Sequence, residues 1–252
     1  MNLTDITANL LSLVLVLAFL VLLIVFTMLA RKRSPARREI PGYARLKRAI
    51  GLAVETGSRM HISLGRGGLT GLEGASALTG LTLLDRITRL ASASDKPPVA
   101  STGDGSLSIL TQDVIKGAFQ SASAEVQYKP SAGRLTGLTP LSYAAGAMAV
   151  VHDEQVSANL MVGHFGSEVG LITGAADQGA SLALGGSEDL SGQAVLYAAA
   201  QEPLVGEEIF AGGAYLDAGP AHAASLQVQD LFRWLIILAI ILGAVARMVG
   251  IL

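Results

Sequence analysis

Two long apolar segments dominate the pattern of hydrophobic and polar positions, Leu10 to Ala30 and Trp234 to Leu252. The first contains 21 residues and no charge. A helix of that length covers roughly 31 Å, the thickness of a membrane hydrocarbon core. Basic residues follow this segment, and only Asp5 carries a charge before it, which is the reverse of a secretory signal. The pattern therefore predicts an uncleaved transmembrane helix.

The second segment is less regular, because its uninterrupted part, Trp234 to Ala246, is followed by Arg247. Alone, 13 residues also suit a buried core helix. Continuing to Leu252 reaches a full span, with Arg247 snorkelling towards the headgroups. We expect a two-pass protein, in which Asp5 and Arg247 either pair on the same side or are solvated independently.

Charged and aromatic residues at the ends of the two spans predict their orientation. Lys and Arg are retained on the cytoplasmic side, so we expect both termini outside and the central part in the cytoplasm, at the cell (inner) membrane. The expected membrane-interface residues are Arg31, Lys32, Arg33, Arg37, Arg38, Arg233, Trp234 and Arg247.

Between the spans, short strand-like runs alternate with Ala- and Leu-rich helical segments, after an amphipathic helix predicted over 43–56. Such alternation indicates right-handed βαβ units and a parallel sheet. The predicted strands are 60–64, 99–102, 134–138, 158–162 and 181–184, each followed by a helix, and 202–230 is predicted to be helical again.

The fold class is therefore α/β: a Rossmann-like, doubly wound, mainly parallel sheet of about five strands, flanked by two transmembrane helices. An all-helical fold stays open as an alternative, because the strands are short and poor in β-branched residues. The expected segments are a short extracytoplasmic terminus (1–9), the first span (10–30), a basic linker (31–42), a cytosolic α/β domain (43–230) and the second span (231–252).

Charge is distributed unevenly along the chain. Eight of the 18 basic residues lie between Arg31 and Arg48, whereas Leu135 to Phe232 contains 11 acids and no Lys or Arg. A basic cluster beside a span attracts anionic lipid headgroups. The acidic half disfavours nucleic acid. Attraction between basic and acidic parts of neighbouring copies is a further possibility, and solvated charged faces are the alternative.

The sequence contains none of the common catalytic or metal-binding motifs that we considered. The chain has no cysteine, which excludes disulfides and thiolate chemistry, and its four histidines show no metal-ligand spacing. No P-loop, dinucleotide fingerprint or nucleophile elbow is present. We therefore predict no metal site and no catalytic residue, identify no cofactor, and leave enzymatic activity undecided while favouring a non-catalytic protein.

A ligand site, if there is one, is expected where glycine-rich turns follow the strands, because ligands bind at the carboxyl ends of parallel strands. A small anionic ligand is the expected occupant. The alternative is that these glycines serve only tight turns and close packing. The candidates are Gly65, Arg66, Gly67, Gly68, Gly103, Asp104, Gly105, Ser106, Gly163, His164, Gly166, Glu168, Gly185 and Gly186.

Five of these candidates have side chains that could take part in chemistry. Asp104 and Ser106 could hold a metal or a ribose, but Asp and Ser before a helix also act as N-caps. His164 and Glu168 could form an acid/base pair, although a Glu in a first helical turn is favoured by the helix dipole anyway. Arg66 is a candidate anion anchor or a solvated side chain.

Several segments together resemble a bacterial two-span membrane-protein family known only as a domain of unknown function. They are the basic residues after the first span, the strand and turn 61–65, the turn 101–104, and the segments 161–168 and 206–216. The resemblance covers nearly the whole chain and implies no activity, ligand or catalytic residue. We therefore expect a membrane-anchored scaffold that forms homo-oligomers, with a ligand-binding or enzymatic domain as the alternative.

Overall fold

The computed structural model describes residues 3–32, 37–71 and 73–249. Its helices and strands, in chain order, are α1 (Leu3–Lys32), α2 (Pro41–Thr56), β1 (Arg59–Gly65), α3 (Gly74–Leu90), β2 (Val99–Thr102), α4 (Gly105–Ser121), β3 (Gly133–Leu135), α5 (Pro140–Asp153), β4 (Val156–His164), α6 (Val169–Gln178), β5 (Leu182–Ser187), α7 (Leu190–Ala199), β6 (Glu202–Pro203), α8 (Gly212–Tyr215) and α9 (Pro220–Met248).

The chain divides into two compact units. One contains the two terminal helices (Met1–Arg37 and Gly219–Leu252), and the other, Arg38–Ala218, contains the α/β fold. Helix α9 runs without a break from Pro220, so the last residues of the expected domain, 43–230, form part of this helix.

In the helical unit, α1 and α9 pack against each other, with the ring centroids of Phe19 and Phe232 6.0 Å apart. Both helices are long and apolar enough to cross a membrane, over Ser12–Arg31 and Pro220–Met248, and their apolar windows are not buried by protein. Their surfaces are thus suited to lipid. The expected pairing of Asp5 with Arg247 and the positions of the Lys32 and Arg33 side chains lie outside the described residues.

In the α/β unit, six parallel strands form one sheet in the order β3-β2-β1-β4-β5-β6. The chain builds outward from β1 to β3 and then crosses to β4 on the other side of β1. This is the strand order of the doubly wound Rossmann arrangement. The predicted fold class is confirmed, with six strands in place of about five, and the all-helical alternative is wrong.

Helices cover both faces of the sheet because side chains alternate along each strand. In β1, Leu64 lies where a Cβ on Gly80 of α3 would meet it, whereas Ser63 reaches Tyr143 of α5 on the opposite face. Helices α3 and α4 pack side by side on the first face, and α5, α6 and α7 on the second. Helix α2 shares the first face, since Leu184 of β5 lies against Gly42.

The predicted turns 163–166 and 185–187 differ from the structure, which keeps Gly163 and His164 in β4 and Gly185, Gly186 and Ser187 in β5. A Cβ on Gly185 would lie 3.0 Å from Met161 and Leu196, so glycine lets the neighbouring layers approach closely. The prediction of helix from Glu202 is also wrong, because strand β6 pairs with β5 there.

Candidate functional site

The topological switch point lies between β1 and β4, where the strand order reverses and where open α/β sheets bind ligands. Backbone hydrogen bonds join the segments at the ends of β1, β2 and β4. The Arg66 N–H donates to the His164 carbonyl at 3.0 Å, and the Gly103 N–H donates to the Gly65 carbonyl at 2.8 Å. The expected candidates after β1, β2 and β4 are thus brought together at one edge of the sheet.

Glycine is required where these strand ends meet. Gly65 has φ +72°, and a Cβ there would lie 2.4 Å from the His164 carbonyl oxygen. A Cβ on Gly163 would lie 2.0 Å from the Leu64 carbonyl oxygen. The space beside these two glycines is therefore filled by the protein's own backbone.

The remaining candidate glycines fall into two groups. A Cβ would meet neighbouring atoms at 3.0 Å or less on Gly67, Gly103, Gly166, Gly185 and Gly186. On Gly68 and Gly105 it would meet nothing within 4 Å. Most of the glycine-rich positions thus serve close packing, and only these two face open space.

Arg66 and Glu168 form an ion pair at the switch point, with Arg66 Nε 3.1 Å from Glu168 Oε1. The same carboxylate oxygen accepts the Gly166 N–H at 3.0 Å, and the Glu168 side chain is only 6% exposed. Arg66 therefore neutralises a carboxylate of the protein. His164 Nδ1 lies 3.4 Å from Glu188 Oε1. His164 and Glu168, the expected acid/base pair, therefore do not face each other: His164 faces Glu188, and Glu168 pairs with Arg66.

Two of the helices that start at this edge, α4 and α7, are capped by carboxylates of the protein. Asp104 Oδ1 accepts the Leu107 N–H of α4 at 2.9 Å, and its pKa is lowered, first by the hydrogen bond from the Ser106 hydroxyl. Asp189 accepts the N–H groups at the start of α7, and its pKa is lowered chiefly by the Ser191 hydroxyl. Asp104 and Ser106 thus form an N-cap.

A buried polar cluster, which the sequence analysis did not single out, lies beneath this edge between the sheet and α5. His61 Nδ1 is 2.9 Å from Asn159 Oδ1, and His61 Nε2 is 2.9 Å from Ser101 Oγ. The Tyr143 hydroxyl is 2.6 Å from Ser63 Oγ and accepts the Gly65 N–H at 3.1 Å. The sequence does contain a signal for this cluster: polar residues alternate with apolar ones in His61-Ile62-Ser63-Leu64, which places His61 and Ser63 on one face of the strand.

Burial sets the protonation of this cluster. It lowers the pKa of His61 to about 4, partly opposed by the bond to Asn159, so the ring is neutral at pH 7. Burial also raises the pKa of Tyr143. The cluster is connected by hydrogen bonds and fully enclosed, so its role is to join β1, β2, β4 and α5. Among the described residues, no group of His, Asp and Glu is arranged to hold a metal ion.

The sequence profile of a family described as a domain of unknown function, DUF6754, matches residues 3–252. The chain belongs to the DUF6754 family. No curated protein and no solved structure shows significant similarity to it. Membership of DUF6754 supplies no activity and no residue roles, so the chemistry of this family member has to be argued from its own side chains.

The described membrane-interface candidates of this DUF6754 protein are divided between the α/β unit and the two terminal helices. Arg38 belongs to the α/β unit, where its guanidinium lies 2.9 Å from Glu208 Oε1. Arg233 lies 3.2 Å from Asp230 within α9, and Trp234 beside it is 69% exposed. Arg31 and Arg247 lie in the last turns of α1 and α9.

Proposed function

We propose that this protein is a two-pass membrane anchor for a cytosolic α/β domain, which acts as a non-catalytic assembly module and associates with further copies of itself. The expected setting is the inner membrane of a bacterium. Two terminal helices with exposed apolar surfaces support the anchoring. The cations at positions 31, 32, 33, 37 and 38 support a cytosolic domain, since Lys and Arg beside a span stay inside.

A hairpin is also supported by the way the α/β unit begins and ends. Near its start, Arg38 pairs with Glu208, and the Tyr43 and Tyr215 rings stack with centroids 5.2 Å apart. Lys47 Nζ lies 3.0 Å from Asp217 Oδ2, at the end of the unit. The chain therefore enters and leaves this unit in one region, as two adjacent membrane legs require.

The observation that carries the non-catalytic assignment is the occupation of the helix N-termini by carboxylates. Helix N-termini at this edge are the places where Rossmann folds bind phosphates, because free N–H groups and the helix dipole attract anions. Here Asp104 and Asp189 accept the N–H groups at the starts of α4 and α7, and Glu168 accepts the Gly166 N–H just before α6. Arg66, the cation in the first turn, pairs with Glu168. An anionic ligand would have to displace or face these charges.

Topology is tested by cysteine accessibility, because the chain has no cysteine of its own. Single variants Asn2→Cys and Gln120→Cys are treated in intact cells with a membrane-impermeant maleimide. We expect Asn2→Cys to be labelled and Gln120→Cys, on exposed α4, to be labelled only after lysis. Labelling of Gln120→Cys in intact cells would refute a cytosolic domain.

Assembly is tested by chemical cross-linking of carboxyl groups in membranes from cells that express the protein at several levels. The products are separated by denaturing electrophoresis. We expect products of two or more chains whose yield is set by the density of protein in the membrane. Monomers alone at every level would refute the assembly function. A chain bearing only α1 and α9 separates helix association from association through the α/β unit.

A ligand-binding function is the second candidate, and one observation favours it. His164 Nδ1 and Glu188 Oε1 are buried near the switch point and face each other at 3.4 Å, but neither atom forms a hydrogen bond among the described residues. Buried polar atoms need hydrogen-bond partners, which a ligand could supply. A thermal-shift screen of nucleotides, sugar phosphates and acyl metabolites tests this. Stabilisation that is lost in Arg66→Ala and Asp104→Ala would establish it over the assembly module.

A further inference from the structure

Helices α5, α6 and α7 present an outer face with unusually little charge. Together they contain two acidic residues, Asp153 and Asp177, and no Lys or Arg. Outer helices of soluble domains normally carry charged residues on this side. Four large apolar or aromatic side chains are exposed here instead, and we call them the α5–α7 face: Leu141 (69% exposed), Leu171 (45%), Leu190 (80%) and Tyr197 (68%).

These side chains are on neighbouring helices, and three of them lie close to one edge of the sheet. Each of the three helices follows a strand, so all three start at the carboxyl edge of the sheet. Leu141, Leu171 and Leu190 lie in the first turns of their helices, and Tyr197 lies two turns further along α7. A cluster of this kind marks a surface for protein contact, whereas single exposed apolar residues need no explanation.

Charge restricts what can cover the α5–α7 face. Its three helices carry two acids and no Lys or Arg, so an anionic lipid surface or a nucleic acid would find no cation on them. Two α5–α7 faces brought together would also place acid against acid. The partner surface should therefore combine apolar groups with cations.

The first face of the same fold contains such a surface, on the other side of the sheet. A groove of about 460 Å³ beside α2 is lined by Arg45, Arg48, Ala49, Leu52, Ser157 and Leu182. Leu52 is 60% exposed and Arg48 is exposed, while Arg45 Nη1 lies 2.6 Å from Glu202 Oε1. The groove thus offers apolar walls and cations together. Aromatic side chains that fill such grooves are typical anchors of protein interfaces.

We infer that the α5–α7 face of one copy, with Tyr197 as its anchor, docks into the α2 groove of a second copy. This inference rests on the proposed assembly function and identifies the surfaces that would serve it. Because the two surfaces are different and lie on opposite faces of the sheet, the contact is head-to-tail. Each copy keeps one free surface of each kind, and such contacts build open rows or closed rings.

The test uses the full chain in membranes and exploits its lack of cysteine. The double variant Tyr197→Cys, Leu52→Cys is oxidised with copper phenanthroline. We expect a ladder of dimers, trimers and larger products, since the two positions are on opposite faces and join only different copies. Each single variant should give no ladder, and the two single variants expressed together should give dimers only. Pairing Tyr197→Cys with Ile109→Cys, on exposed α4, is the matched negative control.

Charge provides a second readout in the same double-cysteine background. Arg48→Glu is expected to lower the cross-link yield about fivefold, because it places an acid against an acidic face. The matched variant Lys116→Glu, at an exposed cation on α4, should leave the yield unchanged.

The outcomes separate this inference from the function on which it rests. Strong dimers from Tyr197→Cys alone would overturn it in favour of a symmetric contact. Absence of the ladder, while chemical cross-linking still yields oligomers, would overturn the docking surfaces and leave assembly intact. Absence of oligomers by both methods would refute assembly itself.

Discussion

Acidification is expected to destabilise the α/β unit through His61. This ring lies between Asn159 Oδ1 and Ser101 Oγ, each 2.9 Å away, and it is fully buried. With Asn159 Oδ1 as acceptor, Nδ1 carries the hydrogen and Nε2 accepts from Ser101. A second ring proton, on Nε2, would require the Ser101 hydroxyl to turn and accept it, and it would place a charge in an interior that disfavours charge.

The size of the effect follows from the pKa of His61, which burial lowers from 6.5 to about 4. Each pKa unit corresponds to about 1.4 kcal/mol, so the difference amounts to about 3 kcal/mol. Well above pH 6.5 the His61 ring is neutral in both the folded and the unfolded chain, so its protonation does not affect the free energy of unfolding. As the pH falls from 6.5 towards 4, the unfolded chain binds the proton and the folded chain does not, so the free energy of unfolding decreases.

Differential scanning calorimetry of the full chain in a mild detergent at pH 7.5, 6.5, 5.5 and 4.5 measures this decrease. For a domain of this size, 3 kcal/mol corresponds to a fall in Tm of roughly 6–12 °C. His61→Gln should have a lower Tm at neutral pH and a flatter pH profile. The control His152→Gln removes a histidine that is 89% exposed and should keep the wild-type profile. Equal pH profiles for wild type and His61→Gln would refute the reasoning.

Three further predictions, two of them with a matched control variant, test packing, capping and the buried cluster by thermal unfolding. Gly163→Ala should lower the free energy of unfolding by about 2 kcal/mol or more, because its Cβ would meet the Leu64 carbonyl, whereas Gly117→Ala, in open space on α4, should raise it by about 0.5–1 kcal/mol. Asp189→Ala should cost about 1 kcal/mol through loss of the α7 cap, and Asp189→Asn should cost less. Tyr143→Phe should cost about 1–3 kcal/mol, because it leaves buried hydrogen-bond partners unsatisfied.

Local signals made most of the fold predictable. Strand β2 was expected over 99–102 and is found there, and α5 starts at Pro140, where the missing N–H is favourable. Strand β6 was not predictable in this way. It has two residues, and only its pairing with β5, Leu184 with Glu202, makes it a strand. Such a contact has no trace in the residue pattern around it.

The glycines show where local rules fail. Glycine between a strand and a helix usually marks a turn, and Gly185 and Gly186 were assigned accordingly. In the sheet they are strand residues, because they pair with Met161 and Val162 of β4, and a Cβ on either would meet neighbouring atoms at 3.0 Å or less. The candidate site was affected in the same way. The sequence identifies Arg66 and Glu168 as charged residues near strand ends, but their ion pair joins positions 102 residues apart and depends on β1 and β4 being neighbours.

The proposed membrane anchoring changes how strong the proposed contact between copies has to be. The exposed side chains of the α5–α7 face are few, which in solution would give a weak interface. Two helices that hold each copy in a bilayer confine the domains to a thin layer, and confinement raises their effective concentration without any new contact. A weak head-to-tail contact can therefore form rows in the membrane and dissociate on dilution into detergent. Assembly should accordingly depend on protein density in the bilayer, and it should be lost in a chain from which α1 and α9 have been removed.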